Sequence, residues 1–270
     1  MPRQRRAYSS TQIYHIMVRG NAGRDIFLDD DDKKQFLRIL SRKKRQTEFK
    51  LYAFCLMKNH FHLSLKEGNE NISNIMKRIN TTYAVYFNKK YQLAGHLFQN
   101  RFKSENVEND AYLISLIRYI HQNPVKAGIA LSPEEYPWSS CFYYFFPGKN
   151  IYKLLDIEDI LKIFSYDIEE AKEQFKGFSQ KEETTHKFIE YKDKNEQPKQ
   201  INTEKKFTNF VNKFVDEHKI FLQDLFKREN KSIRDQLILK LKDESIFSNK
   251  EIAEFLGITR GIIQNIRREK

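Results

Sequence analysis

Apolar and polar positions alternate with period two in "KNHFHLSLK", residues 58 to 66. Side chains alternate across a strand. The run therefore predicts a β-strand with Phe61, Leu63 and Leu65 on a core face and His60, His62, Ser64 and Lys66 on a polar outer face. "FKLYAFCLM" before it reads as a second strand, and the two meet near Lys58-Asn59 as a hairpin. "STQIYHIMVRG" reads as a further strand ending at Gly20. "DDDDKKQFLRILSRKKRQ" opens with acids suited to a helix N-terminus and then repeats Phe36, Ile39 and Leu40 at helical spacing. "NISNIMKRINTTYAVYFNKKY" predicts an amphipathic helix with Ile72, Ile75, Met76, Ile79, Tyr83 and Tyr86 as its stripe, and "GHLFQNRFKSENV" a short extended segment. "NDAYLISLIRYIHQNP" predicts a helix over 110–123, capped by Asn109 or Asp110, that buries Leu113, Leu116, Ile117 and Ile120. Strands interleaved with helices make this an α+β domain, an antiparallel sheet flanked by helices.

The other side of that last helix carries Ser115, Tyr119 and Asn123, each one turn from the next. Pro124 disfavours a helical conformation at Asn123, which places the amide at a helix end, free to ligate or hydrogen-bond. Two imidazoles at i and i+2 are able to face one cation. Each feature alone also has an ordinary reading: surface histidines on an alternating strand, a half-buried tyrosine, a cap before a proline stop.

Charge narrows the field. The 270 residues carry a formal net charge of +12. Residues 1–150 hold 24 basic and 13 acidic residues, 151–198 hold 8 and 12, and 199–270 hold 16 and 11. Two basic blocks around an acidic middle point to a polyanionic partner, nucleic acid first. Cys55 and Cys141 lie far apart and suggest neither a disulfide framework nor a zinc ribbon, which fits a reducing cytoplasm. No apolar run approaches a membrane span, and no apolar stretch follows the basic start "MPRQRRAYSS".

"MKNHFHLSLK" (57–66), "GHLFQNRFKS" (95–104) and "LIRYIHQNPVKAGI" (116–129), in this order, closely resemble the single-tyrosine transposases with a His-hydrophobic-His motif, in the branch called REP-associated tyrosine transposases. "YHIMVRGNAGRDIF" and "EEYPWSSCFYY" resemble that family's opening strand and closing segment, so the resemblance covers roughly residues 8–146. It implies a ferredoxin- or RRM-like catalytic domain over 1–150, with His60, His62 and Asn123 as ligands of Mg²⁺ or Mn²⁺ and Tyr119 as nucleophile. Asn123 stands where some relatives have Gln. The implied reaction cleaves and rejoins single-stranded or hairpin DNA through a 5′-phosphotyrosine, by a monomer or homodimer, in the cytoplasm at the nucleoid. Arg19, Asn21, Arg101 and Lys103, within family-like motifs, are the expected DNA contacts, with Tyr83 among the aromatics available for stacking. His121 is expected to be structural or to touch DNA, and Tyr112 is the rival nucleophile.

Residues 151–204 read as an acidic connector and linker, the linker being "YKDKNEQPKQINTEKK". Residues 205–270 read as a small all-α DNA-binding domain. Within it, "SNKEIAEFLGITRGIIQNIRREK" suggests a helix-turn-helix over about 248–268. Ser248 or Asn249 caps its first helix, Gly257 makes the turn, and Ala253, Leu256, Ile258 and Ile263 pack. Arg260, Gln264, Arg267 and Arg268 face duplex DNA, while the plainer reading is an αα-hairpin. This tail resembles the small helical domains of replication initiators. Two other functions fit the chain as a whole: a non-catalytic DNA-binding regulator derived from a transposase, and a histidine-metal hydrolase acting on RNA. The second needs a base or a metal-bound water, and no further His or Asp/Glu cluster presents itself in the sequence.

Overall fold

A computed structural model of the chain describes residues 8–181, 186–190, 201, 203–245, 247 and 249–266. These divide into two compact units, Met1–Val125 with Ala130–Tyr191, and Lys126–Ile129 with Lys192–Lys270.

In the first unit the chain runs β1 (Ile13–Arg19), α1 (Asp30–Thr47), β2 (Lys50–Leu56), β3 (His60–Lys66), α2 (Ile72–Tyr91), β4 (Lys103–Val107) and α3 (Asp110–Lys126). The strands form one antiparallel sheet in the order β2-β3-β1-β4. This βαββαβ succession is the ferredoxin-like arrangement. Gly20 closes β1 because a Cβ there would sit 2.0 Å from the Arg24 carbonyl oxygen. Asp29 caps α1 in a reciprocal box with Asp32. Asp32, fully buried, also pairs with Lys90 at 2.8 Å and accepts from the Tyr91 hydroxyl at 2.8 Å, which ties α1 to α2.

One face of the sheet packs on α1 and α2, where the rings of Phe27, Phe36, Phe61 and Tyr83 interlock. The α2 stripe is rotated from the expected one: Phe87 is buried in place of Tyr86, whose hydroxyl reaches Asp32. The opposite face was expected to be polar and open. It is instead covered, with His62 and Ser64 buried, because α3 lies over it. Asn109 caps α3 through the Tyr112 amide. The helix also continues through Pro124 to Lys126, three residues past the expected end.

Residues 151–181 contribute Leu154, Leu155, Ile157, Ile160, Leu161 and Phe175 to this same core. Asp156 binds Lys44 at 2.5 Å and accepts from the Leu51 amide at 2.8 Å, while Asp159 binds Lys50 at 2.6 Å. The acidic stretch read as a connector therefore includes a packed edge of the first unit, and its acids neutralise lysines of α1 and β2.

The second unit is helical: α4 (Cys141–Phe145), α5 (Ile157–Leu161) and α6 (Ile168–Ser179) precede it in the first unit, and α7 (Glu204–Glu217), α8 (Lys231–Glu244), α9 (Asn249–Leu256) and α10 (Arg260–Asn265) compose it. Phe207, Val211, Phe214, Leu237, Leu241, Ile252 and Ile263 make its core. Between α9 and α10, Gly257 adopts φ +64°, a conformation glycine enters without a side-chain clash. Ala253, Leu256 and Ile263 are buried there as expected, and Ile258 packs against them partly buried. Ser248, Arg267, Arg268 and most of the expected linker lie outside the described residues. Among the described residues, no helix is long and apolar enough to cross a membrane.

Candidate active site

The covered face of the sheet gathers the candidate chemistry. The i,i+2 spacing on β3 sets His60 and His62 side by side, ring centroids 5.2 Å apart. Tyr119 comes down from α3 onto His62, centroids 5.7 Å apart and rings perpendicular. The structure thus brings together three residues expected from two separate motifs. Asn123, one turn on, uses Nδ2 to donate to the Tyr119 carbonyl at 2.8 Å, which leaves Oδ1 as its remaining donor atom for a ligand.

The pairing pattern adds a histidine the sequence reading missed. Strand β1 lies between β3 and β4, and His15 stands opposite Ser64 on one side and Glu105 on the other. His15 Nε2 and His62 Nδ1 share a hydrogen bond of 3.0 Å, and His15 Nδ1 lies 3.6 Å from Glu105 Oε2. The available signal was the alternation in "IYHIMVR", which puts His15 on the face opposite Tyr14, Ile16 and Val18.

A second missed contribution comes from residues 186–190, far along the chain. Phe188 packs on the Tyr119 ring, centroids 4.6 Å apart, and Tyr119 Oη donates to Glu190 Oε1 at 2.9 Å. Lys103 Nζ donates to the Glu190 carbonyl at 2.9 Å, and the Ile189 amide reaches Glu105 Oε2 at 3.4 Å. This strand-edge tether leaves Tyr119 only 4% exposed. No spacing rule connects position 190 to 119, so no sequence signal pointed to it.

Burial sets the electrostatics. It pushes the Tyr119 phenol up, and the Glu190 charge pushes it further. It lowers His60 to about 4, with the Arg19 charge adding to the effect. His62 lies well below the ordinary histidine value through burial, then through its neighbours His15 and His60. All three groups therefore stand neutral near pH 7.

The donor types are ones that a divalent cation accepts. The Asn59 side-chain oxygen Oδ1 accepts from His60 Nδ1 at 2.7 Å, so that ring keeps its proton on Nδ1 and a lone pair on Nε2. Among the described residues, no three His, Cys, Asp or Glu side chains form a metal cluster. The set is two imidazoles with an amide oxygen, a mixed donor set for a borderline or hard divalent ion.

The expected DNA contacts lie on several separate elements. Arg19 pairs with His60 in the β-register, at the edge of the site. Asn21 follows, its backbone N–H donating to the Leu97 carbonyl at 2.8 Å. Arg101 lines a groove of about 630 Å³ between α2 and residues 95–102, shared with Lys77, Asn80 and Phe98. Lys103 is the exposed cation of β4 that holds Glu190. Tyr83 is not available for stacking: it is fully buried and donates to the Ile26 carbonyl. Tyr112 packs on Phe188 and His186 rather than over the histidine pair. His121 is a buried structural residue sharing a 2.7 Å hydrogen bond with Ser140 Oγ. Arg260 begins α10 and Gln264 lies within it.

Residues 8–123 match the family described as transposase IS200 like. A putative REP-associated tyrosine transposase of Haemophilus influenzae is 30% identical over 104 residues, which cover 34% of this chain and 58% of that protein. The chain thus spans little more than half the length of that curated relative. A solved structure described as a REP-associated tyrosine transposase bound to a REP hairpin aligns at 24% identity and a TM-score of 0.47, over 55% of this chain and 87% of that one.

Proposed function

We propose that this chain, whose residues 8–123 match the family described as transposase IS200 like, is a metal-dependent strand transferase that cleaves and rejoins single-stranded or hairpin DNA. The observation that carries the reading is the seating of Tyr119 on His62, beside His60, with Asn123 one turn away.

In this reading Tyr119 Oη attacks a backbone phosphorus. The new bond is Oη–P and the bond that breaks is P–O3′, which gives a 5′-phosphotyrosine and a free 3′-hydroxyl. His60, His62 and the Asn123 amide oxygen would hold Mg²⁺ or Mn²⁺, and the ion would supply charge neutralisation at the phosphate. The phenol has to lose its proton during attack, because tyrosine's ordinary pKa is about 10. Glu190 Oε1 already accepts that proton's hydrogen bond at 2.9 Å and is the acceptor in reach. When a 3′-hydroxyl attacks the phosphotyrosine, the steps reverse and the strand is resealed. The phosphodiester energy stays in the covalent link, and the chain has no G-x-x-x-x-G-K-[ST] loop for a nucleotide.

Arg19, Arg101 and Lys103 track backbone phosphates around the centre, and Asn21 lies at the same strand end. The second unit, through Arg260, Gln264, Arg267 and Arg268, tethers the enzyme to flanking duplex. The test is a denaturing gel of the protein incubated with Mn²⁺ or Mg²⁺ and labelled hairpin DNA flanking its own gene, beside Tyr119→Phe. A metal-dependent protein-linked band, absent in the variant, supports the reading. Tight binding without cleavage leaves a DNA-binding regulator, and cleavage that survives Tyr119→Phe points to a hydrolase.

A further inference from the structure

We infer that His15 and Glu105 are positioning residues that hold His62 in the one tautomer able to bind a metal. The inference rests on the reading of His62 as a ligand.

The geometry allows two arrangements. His15 and His62 are 0% and 1% exposed, so no water competes for the bond between them. With ring planes 21° apart and N···N at 3.0 Å, it lies close to both ring planes. Two neutral imidazoles place one proton in such a bond. If His15 donates it, His62 carries its own proton on Nε2 and has no lone pair to offer there. If His62 donates from Nδ1, its Nε2 is a free donor atom.

Glu105 selects the second arrangement. Its Oε2 lies 3.6 Å from His15 Nδ1, on the far side of that ring. A carboxylate there favours a proton on Nδ1, which makes His15 Nε2 the acceptor and His62 Nδ1 the donor. The order Glu105, His15, His62 crosses three neighbouring strands, β4, β1 and β3. His60 reaches the same tautomer by a different route, through the Asn59 amide oxygen. Both histidines thus present Nε2, each oriented by an acceptor behind it, as ligating histidines generally are.

The test uses the full chain and two readouts. The first is ¹⁵N NMR of metal-free protein, which reports the protonated nitrogen of His62. The second is Mn²⁺ affinity by titration calorimetry. His15→Phe keeps the ring and removes the acceptor. It should move the His62 proton toward Nε2 and weaken Mn²⁺ binding about 10- to 100-fold. His15→Gln puts an amide oxygen near the Nε2 position and should restore most of the affinity. Glu105→Gln should give a mixture of His62 tautomers. An unchanged His62 tautomer in His15→Phe overturns the inference, and so does equal loss in the Phe and Gln variants, which would mark a packing role. If His15→Phe does not fold, Glu105→Gln decides: His62 still protonated solely on Nδ1 overturns the selection. Wild type that binds no Mn²⁺ would sink the ligand reading, while the tautomer measurement would still test this one.

Discussion

Tyr119 Oη donates a 2.9 Å hydrogen bond to Glu190 Oε1, across 71 residues of chain. The contact couples two opposed effects. The carboxylate's charge disfavours the phenolate, yet the same oxygen is placed to take the proton. Glu190→Gln separates them. The Tyr119 pKa should fall, since a neighbouring negative charge that raises it is removed. DNA cleavage should nonetheless drop by about 10²-fold through loss of the proton acceptor. Tyrosine ¹³C NMR and single-turnover cleavage measure the two. A faster variant would show that Glu190 only restrains the nucleophile.

Acid should destabilise the first unit. His121 is fully buried beside Tyr144 and Phe175, and burial lowers it to about 3. The unfolded chain protonates this residue near pH 6.5, and the folded one does not. Below pH 6.5 the unfolded state therefore binds more protons, and stability falls as pH drops toward about 3. The loss approaches about 1.4 kcal/mol per pH unit for this group. Urea unfolding at pH 7, 6 and 5 should show the slope, and His121→Leu should make it shallower while leaving the part due to His60 and His62, which burial also lowers.

Gly20→Ala should cost about 1–3 kcal/mol, the range for overpacking. The added methyl meets the Arg24 carbonyl at 2.0 Å and Ile26 Cγ2 at 2.9 Å, and neither is the end of a flexible chain. Chemical denaturation would record this.

Cys55 and Cys141 should resist alkylation in the native protein. Both are fully buried, and burial pushes both thiols up, away from the reactive thiolate. Iodoacetamide labelling followed by mass spectrometry should track unfolding; rapid labelling at neutral pH without denaturant would contradict this burial.

Removing residues 199–270 should weaken binding to duplex flanking sequence and reduce its salt dependence, while cleavage of a short single strand survives. Equal duplex affinity with and without the tail would refute the tethering role.

The local pattern of the chain determined most of the elements and half of the candidate site. Period-two alternation placed His60 and His62 on one face of β3, and helical spacing placed Asn123 one turn beyond Tyr119, because both relations are properties of a single element. The acidic start of α1 and the glycine turn at Gly257 were legible for the same reason. Tertiary structure alone decided what covers those residues. Strand order brought His15 beside His62 and Glu105 behind His15, and the polar face of β3 became buried rather than open because α3 packs across it. Packing also placed the acids at 156 and 159 against lysines of the first unit, and Phe188 with Glu190 against Tyr119. Contacts of that kind join segments that no periodicity relates. They are selected by the burial and charge balance of the whole unit, which a local pattern does not encode.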